Sequence, residues 1–382
     1  MRLRRPLLIA IILILTLSPY LLAPPAARAA DGWLPGPPML TPHAIPEQLL
    51  LLPDGQILVF SYVTVESGSL QTVLERYNPT LNQWFVANPP PTTSGGRAVV
   101  LRDGSVLYIA DGSHGRGEMI IARYLPATDE WRIVTSYGSI QLGFQATVLP
   151  DGRVLVVGAG YPISALGTQI YDPETDRWQE ASPTNFGRKD FTLVSLQDGR
   201  VMLLGGTGEG EYRLPRELDF RTSTEIYDPA TDRWTVAAPS IWPHGLLTAT
   251  LLLDGSVLVV SDATAERYNP ATNTWHPTEP PGERHYFRHS AVSLSDGRVL
   301  VLGGWGGCLS RTCARETQSA EIYDPQTNAW TPVAPPSANH VVNVATRLLD
   351  GRAILISATY APSSPRPDRA PPPPPPPPPP HP

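Results

Sequence analysis

Lysine is almost missing from this chain of 382 residues: Lys189 stands alone among 29 basic side chains. Schiff-base chemistry is therefore left a single candidate. No Gly-x4-Gly-Lys-Ser/Thr run occurs, which excludes a P-loop. Cysteine is nearly as scarce, with only Cys308 and Cys313. Charged residues make up 17%, and the formal net charge is −6. So acidic a chain is poorly suited to neutralising phosphates, which excludes general nucleic-acid binding. Helical periodicity does not interrupt the apolar pattern anywhere between the ends. What is abundant is proline (45), glycine (31) and hydrophobic side chains (41%), enough apolar content for a real core.

The two ends read as lying outside the fold. Met1–Arg5 is basic, residues 6–23 are apolar, and Ala27-Arg28-Ala29 places small residues two apart. That is the layout of a secretory signal peptide over residues 1–29. Removing it takes away Arg2, Arg4, Arg5 and Arg28, so −6 becomes −10. The alternative is an uncleaved anchor, since the apolar run is about long enough to span a bilayer. The expected location is extracellular or periplasmic, or membrane-anchored if the segment stays. At the other end, residues 363–382 hold ten consecutive prolines, Pro371–Pro380. Proline has no N–H to donate, so this is expected to be a disordered, polyproline-type tail. The folded domain is then expected over residues 30–362.

Between the ends lies a repeat. An Asp-Gly pair between two apolar runs recurs at Asp54, Asp103, Asp151, Asp198, Asp254, Asp296 and Asp350. Six of these are followed by a Tyr, a polar turn and a Trp: Tyr77 and Trp84, Tyr124 and Trp131, Tyr171 and Trp178, Tyr227 and Trp234, Tyr268 and Trp275, Tyr323 and Trp330. Each unit reads as four strands. Asp-Gly makes the first hairpin, and Asp-Pro-x-Thr or its variant makes the last. The first two strands are continuously apolar, so both faces of each small sheet must be covered.

The stretch from Asp296-Gly297 to Gly303-Gly304, then Glu321-Ile322-Tyr323-Asp324-Pro325 to Trp330, resembles the kelch repeats of β-propellers. The resemblance implies an all-β fold. Seven hairpins but six Tyr-to-Trp elements leave the Asp350 unit short, and Asp31-Gly32-Trp33-Leu34-Pro35 reads as a stray fourth strand. The expectation is a seven-bladed propeller closed by that N-terminal strand. Six blades plus a partial hairpin is the alternative.

A meander puts the Asp-Gly and Asp-Pro turns on one face and the strand two–three and interblade loops on the other. The second face carries the variation, so binding residues are expected there. The candidates are Arg188, Arg213, Trp242, His244, His285, Tyr286, Arg288, His289 and Trp305, a set of bases and aromatics fit for a sugar or an acidic group. Cys308 and Cys313 are expected to form a disulfide in an oxidising compartment. The segment from Arg288 also looks like the matching repeat of galactose-oxidase-type copper enzymes. Only His289 fits their ligand set, and no Cys precedes Cys308 to build their Cys–Tyr cofactor. No metal, no cofactor and no catalytic residue is assigned. The reading is a monomeric, secreted kelch-repeat binding protein for an extracellular protein or glycan. A sugar mutarotase or epimerase is the enzymatic alternative.

Overall fold

The computed structural model describes residues 32–41, 44–65, 70–92, 95–111, 119–136, 140–159, 167–188, 190–206, 222–244, 247–307, 314–316, 319–336 and 340–359. The expected signal segment, the proline tail, Arg213, Cys308 and Cys313 lie outside these residues. Among the described residues, no helix is long and apolar enough to cross a membrane.

The described chain is all β. The first sheet joins β1 (Ile45–Leu51), β2 (Ile57–Thr64), β3 (Leu70–Asn78) and β4 (Gln83–Ala87) in chain order. The next is β5 (Gly96–Val100), β6 (Val106–Asp111), β7 (Met119–Leu125) and β8 (Glu130–Ser136). The third is β9 (Ile140–Val148), β10 (Val154–Ala159), β11 (Thr168–Asp172) and β12 (Arg177–Glu180). The fourth is β13 (Thr192–Ser195), β14 (Val201–Leu204), β15 (Thr224–Asp228) and β16 (Arg233–Val236). The fifth is β17 (Thr248–Leu251), β18 (Val257–Ser261), β19 (Thr264–Asn269) and β20 (Thr274–Pro277). The sixth holds β21 (Tyr286–Ser293), β22 (Val299–Gly307), β24 (Ala320–Asp324) and β25 (Ala329–Val333), with a short β23 (Ala314–Glu316) added to β22. The seventh sheet has two strands, β26 (His340–Arg347) and β27 (Ala353–Thr359).

The repeated residues explain the repeated geometry. In each Asp-Gly hairpin the Asp Oδ1 accepts the amide two residues on, as from Gln56 to Asp54 and Arg352 to Asp350. The glycine takes φ between 82° and 97°, which only glycine adopts at no cost. At the other turn, each tyrosine sits opposite its tryptophan in the ladder, as Tyr77 opposite Trp84 and Tyr323 opposite Trp330. All six ring pairs lie tilted at 5.0–5.1 Å. Each tyrosine hydroxyl donates to an Asp or Asn five residues on, as Tyr171 to Asp176 at 2.6 Å. That residue has φ of 51–56°, a left-handed position that Asn and Asp tolerate best among side-chain-bearing residues.

The units form a closed ring. The residue before each Asp-Gly lies against the glycine of the next hairpin. A Cβ on Gly104 would meet Pro53, on Gly297 Leu253, and on Gly351 Ser295. The series returns to its start, because Gly55 faces Leu349. The tryptophans trace the same circle. Trp84, Trp131, Trp275 and Trp330 donate Nε1–H to the carbonyls of Pro37, Asn88, Ala238 and Glu279 in the preceding unit. Trp33 donates to Ala334 at 2.7 Å, so residue 33 stands where a seventh tryptophan belongs.

The expectation of seven full blades needs correction. The described residues make six complete blades, and the seventh place is held by the β26–β27 hairpin. Its two faces pack on the sixth blade, against Leu300 and Leu302, and on the first, against Ile57 and Val59. The N-terminal segment is placed as expected, but residues 33–39 form no strand. A fourth strand needs a third to pair with, and no third strand follows β27 among the described residues.

Candidate functional site

The connections separate two faces. The first and second strands are always five residues apart, as in 52–56 and 348–352, and the third and fourth always four apart, as in 79–82 and 325–328. On the opposite face the second-to-third connection runs from two residues (262–263) to nineteen (205–223). A turn set by backbone geometry cannot vary, whereas a loop beyond the ladder can, so this is the face with room for chemistry.

The bases that enter from this face do not reach its surface. Arg188, His244 and His285 each precede a first strand, and each is buried, at 1%, 1% and 0% exposure. Each meets a glutamate of the third strand in its own blade. Arg188 Nη2 donates to Glu225 at 2.8 Å, and Nη1 donates to the Gly205 and Ser223 carbonyls. His244 Nε2 lies 2.5 Å from Glu266, and His285 Nε2 lies 3.1 Å from Glu321. His285 Nδ1 donates to the Gly303 carbonyl at 2.8 Å.

The glutamates have a second duty. Glu225 accepts the amides of Asn185 and Phe186, Glu266 those of Ile241 and Trp242, and Glu321 those of Gly282 and Glu283. Glu75 does the same for Leu40 and Thr41. One buried carboxylate therefore pins the interblade loop in four blades and, in three of them, also meets the entering base. Burial alone would raise the Glu321 carboxyl. The hydrogen bonds from His285, Glu283 and Gly282 outweigh burial and hold it below its usual range. Burial lowers the Arg188 guanidinium, and Glu225 partly restores it. Such bases fasten loops to sheets. The signal that sequence reasoning missed is a Glu two residues before the repeat Tyr, at Glu75, Glu225, Glu266 and Glu321.

His289 is also internal, at 7% exposure. Its Nε2 donates to the Val260 carbonyl at 3.2 Å and lies 2.9 Å from Thr248 Oγ1. A carbonyl can only accept, so Nε2 carries the proton. Burial, and then the nearby His285, push the His289 pKa down to about 3, so the ring is neutral. Trp242 differs from the other candidates. Its amide is held by Glu266, but its side chain is 42% exposed beside an exposed Ile241, on the interblade loop before β17. The backbones of Tyr286 and Trp305 pair across β21 and β22, with Arg288 on β21 between Tyr286 and His289. Among the described residues no cluster of three His, Cys, Asp or Glu side chains is placed to hold a metal.

Comparison with known proteins agrees with this geometry. Residues 287–337 match the family model of the Kelch motif. The spermatocyte protein spe-26 of Caenorhabditis elegans is 29% identical over 122 residues, which is 29% of this chain and 20% of the relative. The F-box/kelch-repeat protein At4g39550 of Arabidopsis thaliana is 33% identical over 67 residues, 18% of this chain and 15% of that one. The chain thus spans a fifth or less of the length of these curated relatives. A solved structure of a fungal alcohol oxidase of the AA5 family, in complex with copper, superposes with a TM-score of 0.44 at 18% identity, over 69% of each chain. Ladder order and turn chemistry make the described chain a β-propeller, and its sixth blade matches the Kelch motif.

Proposed function

We propose that the chain is an exported binding propeller that recognises a protein partner through the face built by its second-to-third and interblade loops. The observation that carries this reading is the contrast between the two faces: invariant turns of five and four residues on one, connections of two to nineteen on the other. Kelch repeats generally mediate protein–protein binding. The exposed Trp242 with Ile241 on that face is the kind of aromatic anchor that concentrates binding energy. Export is supported by the basic-then-apolar N-terminal segment and by a cysteine pair in a chain otherwise without cysteine. Burial of His285 and His289 withdraws from that surface the two histidines on which acid–base chemistry would have drawn.

The test is capture of partners from the extracellular fraction by the wild-type chain and by a variant with Trp242, Tyr286, Arg288 and Trp305 all changed to alanine, with a glycan array run in parallel. Cross-linked protein partners that vanish with the variant are expected. Equal capture by both chains refutes the loop face. Array signal without protein capture replaces the protein partner with a carbohydrate.

A further inference from the structure

Each complete blade ends in an outer strand that stands last in its ladder: β4, β8, β12, β16, β20 and β25. A sheet edge invites another strand, and proteins guard against this with charge or proline. Five of the six outer strands are guarded. β8 carries Glu130 and Arg132, β12 Arg177 and Glu180, β16 Arg233, β20 Pro277 and β25 Pro332. β4 reads Gln-Trp-Phe-Val-Ala and carries neither.

β4 is also apolar where its counterparts are polar. Phe85 follows the repeat Trp, where the other blades have Arg132, Gln179, Thr235, His276 and Thr331. Leu81 closes the preceding turn, where the other five have threonine. Val86 is 69% exposed, Leu81 56% and Phe85 37%. The neighbours extend this surface on both sides of the sheet. Val86 pairs opposite Glu75, whose carboxylate holds the amide of the exposed Leu40. Phe85 pairs opposite Arg76, whose guanidinium donates to the Pro126 carbonyl of the second blade, next to the exposed Leu125. Trp131 of that blade turns to the first, donating to the Asn88 carbonyl. Ile133, two residues on and therefore on the same side of β8, is exposed as well. Six apolar side chains thus surround the one unguarded edge.

We propose that this edge is a dimer contact, in which β4 pairs antiparallel with β4 of a second copy of the chain about a two-fold axis at Phe85. The strand complements itself: each Phe85 faces the other, each Trp84 a Val86, and each Gln83 an Ala87. None of these pairs brings charges together. The six side chains expose on the order of 500 Å² per copy, so a two-fold pair approaches the roughly 1,000 Å² that a specific, reversible interface needs. A lipid surface offers no strand to pair with, and the net charge of −6 opposes an anionic one. β4 runs from the turn face to the loop face, so antiparallel pairing points the two loop faces in opposite directions. The dimer is then a bridge with two outward faces, in place of the monomer expected from the sequence. The contact lies on the rim and stands whether or not the loop face binds a partner.

The test is sedimentation equilibrium of the full chain from about 1 to 100 μM, the range of a weak dimer, with hydrogen exchange at both limits. A concentration-dependent monomer–dimer equilibrium is expected. Exchange at the amides of β4 should slow as the dimer forms, and exchange at the other outer strands should not. Val86→Lys puts a charge on the edge and should weaken the dimer about tenfold or more. Val236→Lys, at the same place in the fourth blade, should leave it unchanged. Both sites are exposed, and Tm of each variant checks folding. Mild oxidation should link Phe85→Cys into a covalent dimer and leave Val236→Cys unlinked. A chain monomeric throughout, a dimer that Val86→Lys leaves intact, or equal weakening by Val236→Lys overturns the proposal. A monomer whose β4 amides exchange slowly makes the occupant a segment of the same chain and overturns the second copy. A monomer that floats with phosphatidylcholine vesicles makes the patch a membrane face and does the same.

Discussion

Replacing Arg188 by methionine separates a structural base from a ligand-binding one. The guanidinium and the Glu225 carboxylate are both out of solvent, at 1% and 0% side-chain exposure, 2.8 Å apart. Removing the cation leaves the carboxylate with the Asn185 and Phe186 amides but no counter-charge, and takes the Arg188 donor away from the Gly205 and Ser223 carbonyls. Breaking one side of a buried pair costs about 3–5 kcal/mol. A folded unit of roughly 330 residues has an unfolding entropy of about 0.7 kcal/mol/K, so about 4 kcal/mol lowers Tm by roughly 6 °C. Glu225→Gln should cost a similar amount. With the charge already gone, adding Arg188→Met should cost only about 1–2 kcal/mol more, a coupling of about 2 kcal/mol or greater. The assay is thermal and urea unfolding of the four chains, with partner capture measured alongside. Additive losses, or a loss below about 1 kcal/mol for Arg188→Met with capture abolished, would refute the fastening role and return Arg188 to the binding surface.

Three further outcomes are expected. His289 is neutral in the fold with a pKa near 3, while in the unfolded chain it titrates near the usual histidine value of about 6.5. Between those values the unfolded state binds a proton that the folded state does not. Stability therefore falls as pH falls, by up to about 1.4 kcal/mol per pH unit, and His289→Gln should flatten that slope between about pH 6.5 and 4.5. An unchanged slope in Tm against pH would place the titration elsewhere. Gly199→Ala should cost about 3 kcal/mol and Gly351→Ala about 1–2. Both need positive φ, but a Cβ on Gly199 meets the Pro150 ring at 2.6 Å, while one on Gly351 meets Ser295 Oγ at 3.3 Å. Equal losses in urea midpoint would count against interlocking turns. Trp33→Ala removes the bond to Ala334 and the packing on the sixth blade, for about 2 kcal/mol, and should speed proteolysis near β26 and β27 without loosening the third blade.

Much of the fold is legible because its signals are local. Asp-Gly, and the Tyr with its Asp or Asn five residues on and the Trp it faces, each lie within one hairpin, so counting them counts units. The short seventh unit is legible too, in the lack of a Tyr-to-Trp element after Asp350. The site is harder. Arg188, His244 and His285 read as exposed because they sit in polar loops, whereas their partners lie on third strands 37, 22 and 36 residues away. The spacing changes with the length of the intervening loop, so no fixed pattern marks the pair. Only the Glu-x-Tyr element repeats, and its meaning appears once three strands are folded side by side. Trp242 is legible as an exposed side chain for the opposite reason: its loop amide is held by Glu266, which leaves the indole to turn outward.

A ring with one half-filled place holds because its units are fastened sideways. In a line of repeats each unit depends on its nearest neighbours, and an end unit has one neighbour where an inner unit has two. Closure gives the β26–β27 hairpin both: Leu348 and Ile356 join the cluster of Ile57 and Val59 in the first blade, and Ala345, Ala353 and Leu355 join that of Leu300 and Leu302 in the sixth. The contact of Leu349 with Gly55 and the Trp33 bond tie the same seam on the turn face and at the rim. The hairpin's apolar faces are thus satisfied by its neighbours, while its outer ladder is satisfied by nothing among the described residues. Losing the third strand of the fourth, fifth or sixth blade would strand a buried base, Arg188, His244 or His285, and cost the fold directly. The β26–β27 hairpin closes the ring through its apolar faces, with no third strand beside β27 among the described residues.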